Sequence, residues 1–178
     1  VRDILPSLSK PMVTYGVHED ADFRAVNIRQ EGMHTHFTVE RRGNYASLDV
    51  TLNMPGWHNM LNALAAIAVA TKLAVDDVAI QASLQAFKGI GRRFQLQGDL
   101  PFNDGVITLV DDYGHHPREI AATLEALKQA WPTRRSIVIF QPHRYTRTRD
   151  LFEDFVHVLA GVDVLILMDI YPAGESVI

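Results

Sequence analysis

Cysteine is absent from the 178 residues. Disulfides, zinc–thiolate centres and thiol nucleophiles are therefore excluded, and the composition is compatible with a reducing, cytoplasmic setting. Long apolar runs are also missing. The strongest, residues 162–168 and 63–70, fall far short of the roughly 20 residues that a membrane span requires. No charged start followed by an apolar run and a cleavage site is legible, so no signal peptide is expected. There is no basic excess: 17 Lys and Arg against 21 Asp and Glu leave a formal charge of −4. No overall field attracts nucleic acid or a membrane surface, and any anion site must come from local clusters of Arg and Lys.

What is present is ordinary for a globular chain, with 47% hydrophobic and 21% charged residues. The length suits one ordinary domain or two small or incomplete ones. The first residue is not Met, and the chain closes with Tyr171-Pro172-Ala173-Gly174-Glu175-Ser176-Val177-Ile178 just after an apolar strand pattern. Both ends read as cut.

Residues 13–52 have the alternation of half-buried strands: Val26 and Ile28, Phe37 and Val39, then Leu48, Val50 and Leu52. Glu31-Gly32 and Gly43-Asn44 are turn signals between them, giving two antiparallel connections. Pro55-Gly56 breaks the pattern. An Ala-rich helix, apolar nearly all round and so expected to be buried, follows over residues 59–73. Asp76 suits the N-cap of a second helix presenting Ile80, Leu84 and Phe87, and Gly89 and Gly91 end it. The linker Gly89-Ile90-Gly91-Arg92-Arg93 marks a boundary, dividing the chain into residues 1–90 and 91–178.

Beyond it the period changes. Strands are expected over 94–98 and 106–111, with Asn103-Asp104-Gly105 as the turn. A helix opens at Pro117 and runs to about Trp131, a strand covers 137–141, a helix capped by Asp150 and Glu153 runs to about Ala160, and a buried strand covers 162–170. Strands alternating with helices, with apolar strand interiors, indicate an α/β fold with a parallel sheet.

Ligands of such sheets bind beyond the carboxyl ends of the strands. Two polar clusters lie there: Asp111-Asp112-Tyr113-Gly114-His115-His116-Pro117 and Gln141-Pro142-His143-Arg144-Tyr145-Thr146-Arg147-Thr148-Arg149-Asp150. The simpler reading of the first is a capped turn, with His116 or Asp112 satisfying helix N–H groups. The concentration of carboxylate, phenol and imidazole favours a site. The simpler reading of the second is a solvated basic face. Cations expected just before a helix N-terminus are unfavourable to its dipole, however, so an anionic ligand is the better explanation, and the Arg fork suits a carboxylate or phosphate. Gly56-Trp57-His58-Asn59 reads first as a helix entry capped by Asn59, and Arg92-Arg93-Phe94 as a hinge that could bridge a ligand. His34 and His36 face the same way on a strand without an evident third ligand, so they read as exposed strand residues rather than a metal site. His18 and His157 carry no assignment.

In order, these clusters resemble the Mur ligases. The resemblance rests on Gly56-Trp57-His58-Asn59 with Asn62-Ala63-Leu64-Ala65-Ala66, on Gly91-Arg92-Arg93-Phe94, on Asp112-Tyr113-Gly114-His115-His116-Pro117 and on Gln141-Pro142-His143-Arg144-Tyr145-Thr146-Arg147-Thr148-Arg149, and it spans essentially the whole chain. Asp111-Asp112-Tyr113-Gly114 and Tyr171-Pro172-Ala173-Gly174-Glu175 look most like the member that acts on UDP-N-acetylmuramate and L-alanine. The resemblance implies that residues 1–90 are the back part of a central ATPase domain and 91–178 the front part of a Rossmann-like C-terminal domain. It implies that His58 and Asn59 contact adenine, that Arg93 reaches the nucleotide and that Asp112 holds the ribose. Tyr113, His115, Arg144 and Arg147 would line the muramate and alanine site, with His115, Arg144 and Arg147 nearest the chemistry and His116 and His143 as additions. The implied reaction uses ATP and Mg2+ to make an acyl phosphate that the amine of L-alanine then opens, in peptidoglycan precursor synthesis.

Departures from the family pattern are clear. No Gly-x-x-Gly-Lys-Thr/Ser phosphate loop occurs among these residues. The principal magnesium ligands and the UDP domain are expected outside them. The segment is therefore expected to be inactive alone, with unfinished sheet edges prone to aggregation. A ligase that attaches a whole peptide to the same muramate, and a non-catalytic nucleotide-binding module, are the alternatives.

Overall fold

A computed structural model describes residues 6–103 and 105–178. Asp104, the centre of the expected turn, lies outside the described residues. The elements in chain order are β1 (Tyr15–Gly16), β2 (Phe23–Glu31), β3 (His34–Arg41), β4 (Leu48–Leu52), α1 (Trp57–Lys72), α2 (Asp77–Ala86), β5 (Gln95–Phe102), β6 (Gly105–Asp111), α3 (Pro117–Ala130), β7 (Ile137–Phe140), α4 (Tyr145–Asp150), α5 (Phe152–Leu159) and β8 (Val164–Leu167).

The first sheet has the order β1-β2-β3-β4, with both expected antiparallel pairings. Register follows burial: Thr35, Phe37 and Val39 pair with Leu52, Val50 and Leu48, and all six are buried on one face. The phase of β2 differs from the sequence expectation. A bulge between Val26 and Arg29 interrupts the pairing, and Asn27 there takes a left-handed φ of 53°. Phe23 and Ala25 point into the core before the bulge, and Ile28 packs against it afterwards. Val26 and Ile28 therefore do not form one uninterrupted inward stripe, because an inserted residue shifts the alternation of a strand.

The α1 helix covers this sheet with Met60, Ala63, Leu64, Ile67 and Ala68, all buried at helical spacing. Burying Leu64 or Ile67 in this way stabilises the fold by about 1.5–3 kcal/mol each. The helix is not buried all round, as its composition suggested: Val69 is 61% exposed, and Leu73, just past its end, is 72% exposed. A charged residue in the buried phase of β3 is matched fully. Arg41, its side chain 2% exposed, donates to both Asp77 oxygens at 2.7 and 2.6 Å and to the Ala46 carbonyl. The α2 helix begins as expected, with the Asp76 carboxylate accepting from the Val78 N–H at 2.8 Å.

The second half is less continuous than the strand–helix alternation predicted. β7 and β8 pair in parallel, with Ile120, Phe140, Phe155 and Leu159 forming a small core where α3 and α5 cover them. β6 does not join them. It pairs with β5 in an antiparallel hairpin that forms a sheet of its own. A cavity of about 140 Å³ lined by Val110 of β6, Ile120, Leu124 and Leu127 of α3 and Val138 of β7 occupies the interval. Because parallel strands need cover on both faces, the incomplete sheet leaves Ile139, Ile166 and Leu167 exposed. The buried strand expected over 162–170 is in fact short and open on one side.

Two further expectations are corrected. β5 starts after Phe94 rather than at it, and it extends to Phe102. The helix expected from Asp150 starts at Tyr145 instead and breaks at Leu151, which precedes α5 without a side-chain cap. Asp150 pairs with Arg149 at 2.8 Å, so the carboxylate expected to cap the helix is engaged by its neighbour.

Candidate functional site

The entry to α1 and the start of α3 lie side by side. Gly56, at the N-cap of α1, has a φ of 100°, and a Cβ built on it would meet the Ala126 Cβ at 2.8 Å. Glycine is needed here for both the left-handed backbone and the close approach. This approach sets His58 near the second half of the chain. Burial holds its imidazole below the ordinary 6.5, and Arg93 acts in the same direction, against the opposing pull of Asp112 and Glu125. Neutral His58 can offer one donor and one acceptor. Asn59 does not cap the helix: its side-chain amide donates to the Pro55 carbonyl at 2.8 Å, fixing its orientation beside His58.

The linker is held to the loop after β6. Arg92 and Phe94 have left-handed φ values of 58° and 46°, and such backbone costs of order 1–3 kcal/mol at each non-glycine residue. Tethers compensate. The Tyr113 N–H donates to the Arg92 carbonyl at 2.7 Å, and the Phe94 N–H donates to Asp112 Oδ2 at 2.8 Å. The Arg92 guanidinium lies over the Tyr113 ring, 4.9 Å from its centre. Asp112 Oδ1 accepts from the Gly114 N–H at 2.7 Å. Both oxygens of Asp112 thus carry backbone hydrogen bonds, and each keeps a further lone pair for a ligand hydroxyl.

His116 is the N-cap of α3, and its ring accepts from the Arg118 N–H at 3.3 Å. The simpler reading of the first cluster as a capped turn is thus realised at this residue. Glu119 returns to the loop and accepts from the N–H groups of His115 and His116 at 3.0 and 3.2 Å. Burial pushes the Glu119 carboxyl up, but these N–H groups, with the charges of His115 and Arg93, outweigh it and hold the group below its ordinary value.

The two polar loops converge through a row of rings. Tyr113 and His115 are 5.4 Å apart, His115 and His143 6.1 Å, and His143 and Tyr171 5.4 Å. Arg147 donates to the His143 carbonyl at 3.1 Å, with its guanidinium 3.4 Å from Nδ1. Desolvation and then Arg147, His115 and Arg144 keep His143 below its ordinary value, against Glu175. Arg144 takes a left-handed φ of 74°. Its N–H donates to the Tyr171 carbonyl at 2.8 Å, and its guanidinium lies 3.7 Å from Glu175. Glu175 also accepts from the Thr146 hydroxyl and N–H at 2.6 and 3.0 Å, and these bonds hold its carboxyl below the ordinary range.

The argument from the helix dipole changes here. Arg147 and Arg149 lie in the last turn of α4, not before its start, where positive charge is favourable. Arg144 precedes α4, while Arg147 and Arg149 also lie directly before α5, the helix expected to follow them. His34 and His36 stack 6.3 Å apart, and His36 bonds to Thr51 at 3.0 Å. Among the described residues no group of three or more His, Asp or Glu is placed to hold a metal ion. Glu119 and Glu175 were not singled out by sequence reasoning. The Glu three residues after the cap at His116 is a capping-box spacing that could have found Glu119.

The site thus has two parts. His58, Asn59, Arg93 and Asp112 lie on the linker side. Tyr113, His115, His143, Arg144 and Arg147 lie where the loops meet. A family model described as the Mur ligase middle domain matches residues 2–70, and one described as the Mur ligase, glutamate ligase domain matches residues 92–177. The chain is 62% identical over 176 residues to a UDP-N-acetylmuramate–L-alanine ligase of Methylococcus capsulatus, covering 99% of this chain and 37% of that protein. A crystal structure of a UDP-N-acetylmuramate–alanine ligase from Thermotoga maritima superposes with a TM-score of 0.75 at 31% identity, over 89% of this chain and 34% of that one. The fold extends to a MurF ligase of Thermotoga maritima solved with ADP, at a TM-score of 0.70 and 19% identity, over 94% of this chain and 37% of that one.

Proposed function

This chain belongs to the Mur ligase family, and from that premise we propose that the protein carrying it joins L-alanine to the carboxylate of UDP-N-acetylmuramate with ATP, in the cytoplasm, as a step of peptidoglycan precursor synthesis. The chain spans 37% of the curated relative's length, so the activity is that of the longer protein. The observation that carries the reading is the 62% identity, over nearly the whole chain, to a ligase of that specificity. We place the boundary between the central and C-terminal parts at residues 90 and 91, in the linker.

In this reading His58 and Asn59 meet adenine, Arg93 reaches the nucleotide, and Asp112 uses its remaining lone pairs on the ribose hydroxyls. Tyr113, His115, Arg144 and Arg147 face the muramate carboxyl and alanine, with His116 and His143 at the margin. A muramate carboxylate oxygen attacks the γ-phosphorus of ATP and ADP departs. The alanine amine then forms the amide bond at the acyl carbon, and inorganic phosphate leaves with the former carboxylate oxygen. Arg144 and Arg147 offset charge on the carboxyl and on the tetrahedral centre, where preorganised donors act most strongly. In this reading the neutral His115 imidazole takes a proton from the attacking amine. Magnesium, which the family implies, finds no ligand cluster among the described residues.

The test is phosphate release by the full-length protein with ATP, Mg2+ and UDP-N-acetylmuramate, with and without L-alanine. Strict dependence on L-alanine is expected. Turnover that needs a preformed peptide instead of alanine sinks the reading in favour of a recycling ligase. Nucleotide binding without turnover leaves a binding module.

A further inference from the structure

The strained linker and the loop that bears His115 meet on one side chain, Glu119, at the third position of α3. Its Oε2 accepts the His115 and His116 N–H groups and lies 3.4 Å from His115 Nδ1. Its Oε1 is turned the other way, 3.7 Å from Arg93 Nη1. We propose that Glu119 is a positioning residue that joins Arg93 of the linker to the His115 loop, so that the nucleotide-facing and substrate-facing groups are presented together. The proposal rests on the roles given to Arg93 and His115 above.

A capping box alone does not require this arrangement. The cap needs one acceptor atom, which Gln supplies as well as Glu. Beyond a mild preference for negative charge at the helix N-terminus, the charge matters for Arg93 and His115. Both ion pairs are long and partly open to solvent, the side chains of Arg93 and His115 being 48% and 32% exposed, so they add little to stability. Their consequence is geometric. Arg93 sits between Arg92 and Phe94, both in left-handed backbone, on a segment tied down by Tyr113 and Asp112. Its side chain needs a fixed partner to point consistently into the site. Glu119 is anchored by two backbone N–H groups and supplies one.

The test uses the full-length protein and the variants E119Q, E119A, R93A and E119Q/R93A. ADP affinity by titration calorimetry reads the Arg93 arm without depending on ligation. Amide hydrogen exchange at residues 92–94 and 113 reads the linker itself. E119Q is expected to lower the thermal midpoint only slightly, weaken ADP binding roughly fivefold to tenfold, and speed exchange in the linker. In the R93A background, the E119Q effect on ADP is expected to vanish. E119A adds a loss of thermal stability from the missing cap. The role is overturned if E119Q matches wild type in ADP affinity and exchange, or if its effect is undiminished in R93A. Wild-type protein that binds ADP but releases phosphate regardless of alanine refutes the ligase reading and leaves the Glu119 result standing by itself.

Discussion

At the scale of single residues, hydrogen-bond satisfaction decides what each polar group is free to do. Asp112 accepts from two backbone N–H groups, one on the linker and one on its own loop. In Asp112→Asn the amide NH₂ replaces one acceptor, so a backbone donor faces a donor. The expected loss is about 1–3 kcal/mol of stability, read by denaturant unfolding, together with weaker nucleotide binding by titration. Unchanged stability would mean that the linker is not held by this carboxylate. His58 gives a different signal. Burial depresses its pKa below 6.5, and His143 is depressed as well. Below pH 6.5 the unfolded chain takes up protons on these rings that the folded chain refuses. Their stabilising contribution is complete above that pH and is lost as pH falls through the lower folded values. Asp77 and Glu119, also depressed, lose theirs only at lower pH, beneath the ordinary carboxylate values. Thermal midpoints should therefore begin to fall below about pH 6.5. His58→Gln should flatten the first part of that fall; a profile identical to wild type would show that His58 titrates freely.

Individual elements were legible where one periodicity held. The alternation of Phe37 with Val39 and of Leu48 with Leu52 follows from side-chain direction, and the structure has it as expected. The helix over residues 59–73 was legible as a helix but not in which of its faces is buried. Elements that depend on distant partners were not legible. The bulge at Asn27 resets the β2 phase, and no apolar pattern announces an inserted residue. Two-residue β1 pairs in parallel with β2, too short to show a period. The start of α4 at Tyr145 follows an Arg144 backbone fixed by Tyr171, far along the chain. Of the candidate site, the residue clusters were readable because polar groups concentrated after strands are chemically conspicuous. The supporting carboxylates were less so, because their work is to orient neighbours. Glu119 was reachable only through its capping-box spacing after His116, and Glu175 only as the end of the Tyr171-Pro172-Ala173-Gly174-Glu175 run. Gly56 shows how an element boundary can join two halves. Gly56→Ala brings a Cβ to 2.8 Å from Ala126 at a φ of 100°. Left-handed backbone alone costs about 1–2 kcal/mol, and the clash adds to it by separating α1 from α3. A lowered thermal midpoint and faster hydrogen exchange at the start of α1 are expected, and a variant as stable as wild type would show that the approach is not tight in solution.

Across the whole molecule, the two halves are finished to different degrees. The sheet of the first half is covered by α1 and carries most of the buried apolar side chains. The second half has a small core and much open apolar surface, including Leu100, Phe102 and Val106 on the hairpin and Ile139, Ile166 and Leu167 on the parallel pair. The formal charge of −4 is modest as a repulsive term, and no helix is long and apolar enough to cross a membrane among the described residues. Contiguous exposed apolar strands with unpaired edges favour association over solvation. The 178-residue polypeptide is therefore expected to self-associate with rising concentration in sedimentation velocity. Ile139→Lys with Leu167→Lys should shift it toward the monomer, because charge on an exposed strand opposes strand-to-strand addition. The same substitutions should leave the far-UV circular dichroism intact, since neither side chain belongs to the buried cluster of Ile120, Phe140, Phe155 and Leu159. Monomeric behaviour of the unsubstituted chain across the concentration range would mean that these strands find cover within the molecule, and that the interval between β6 and β7 closes in solution.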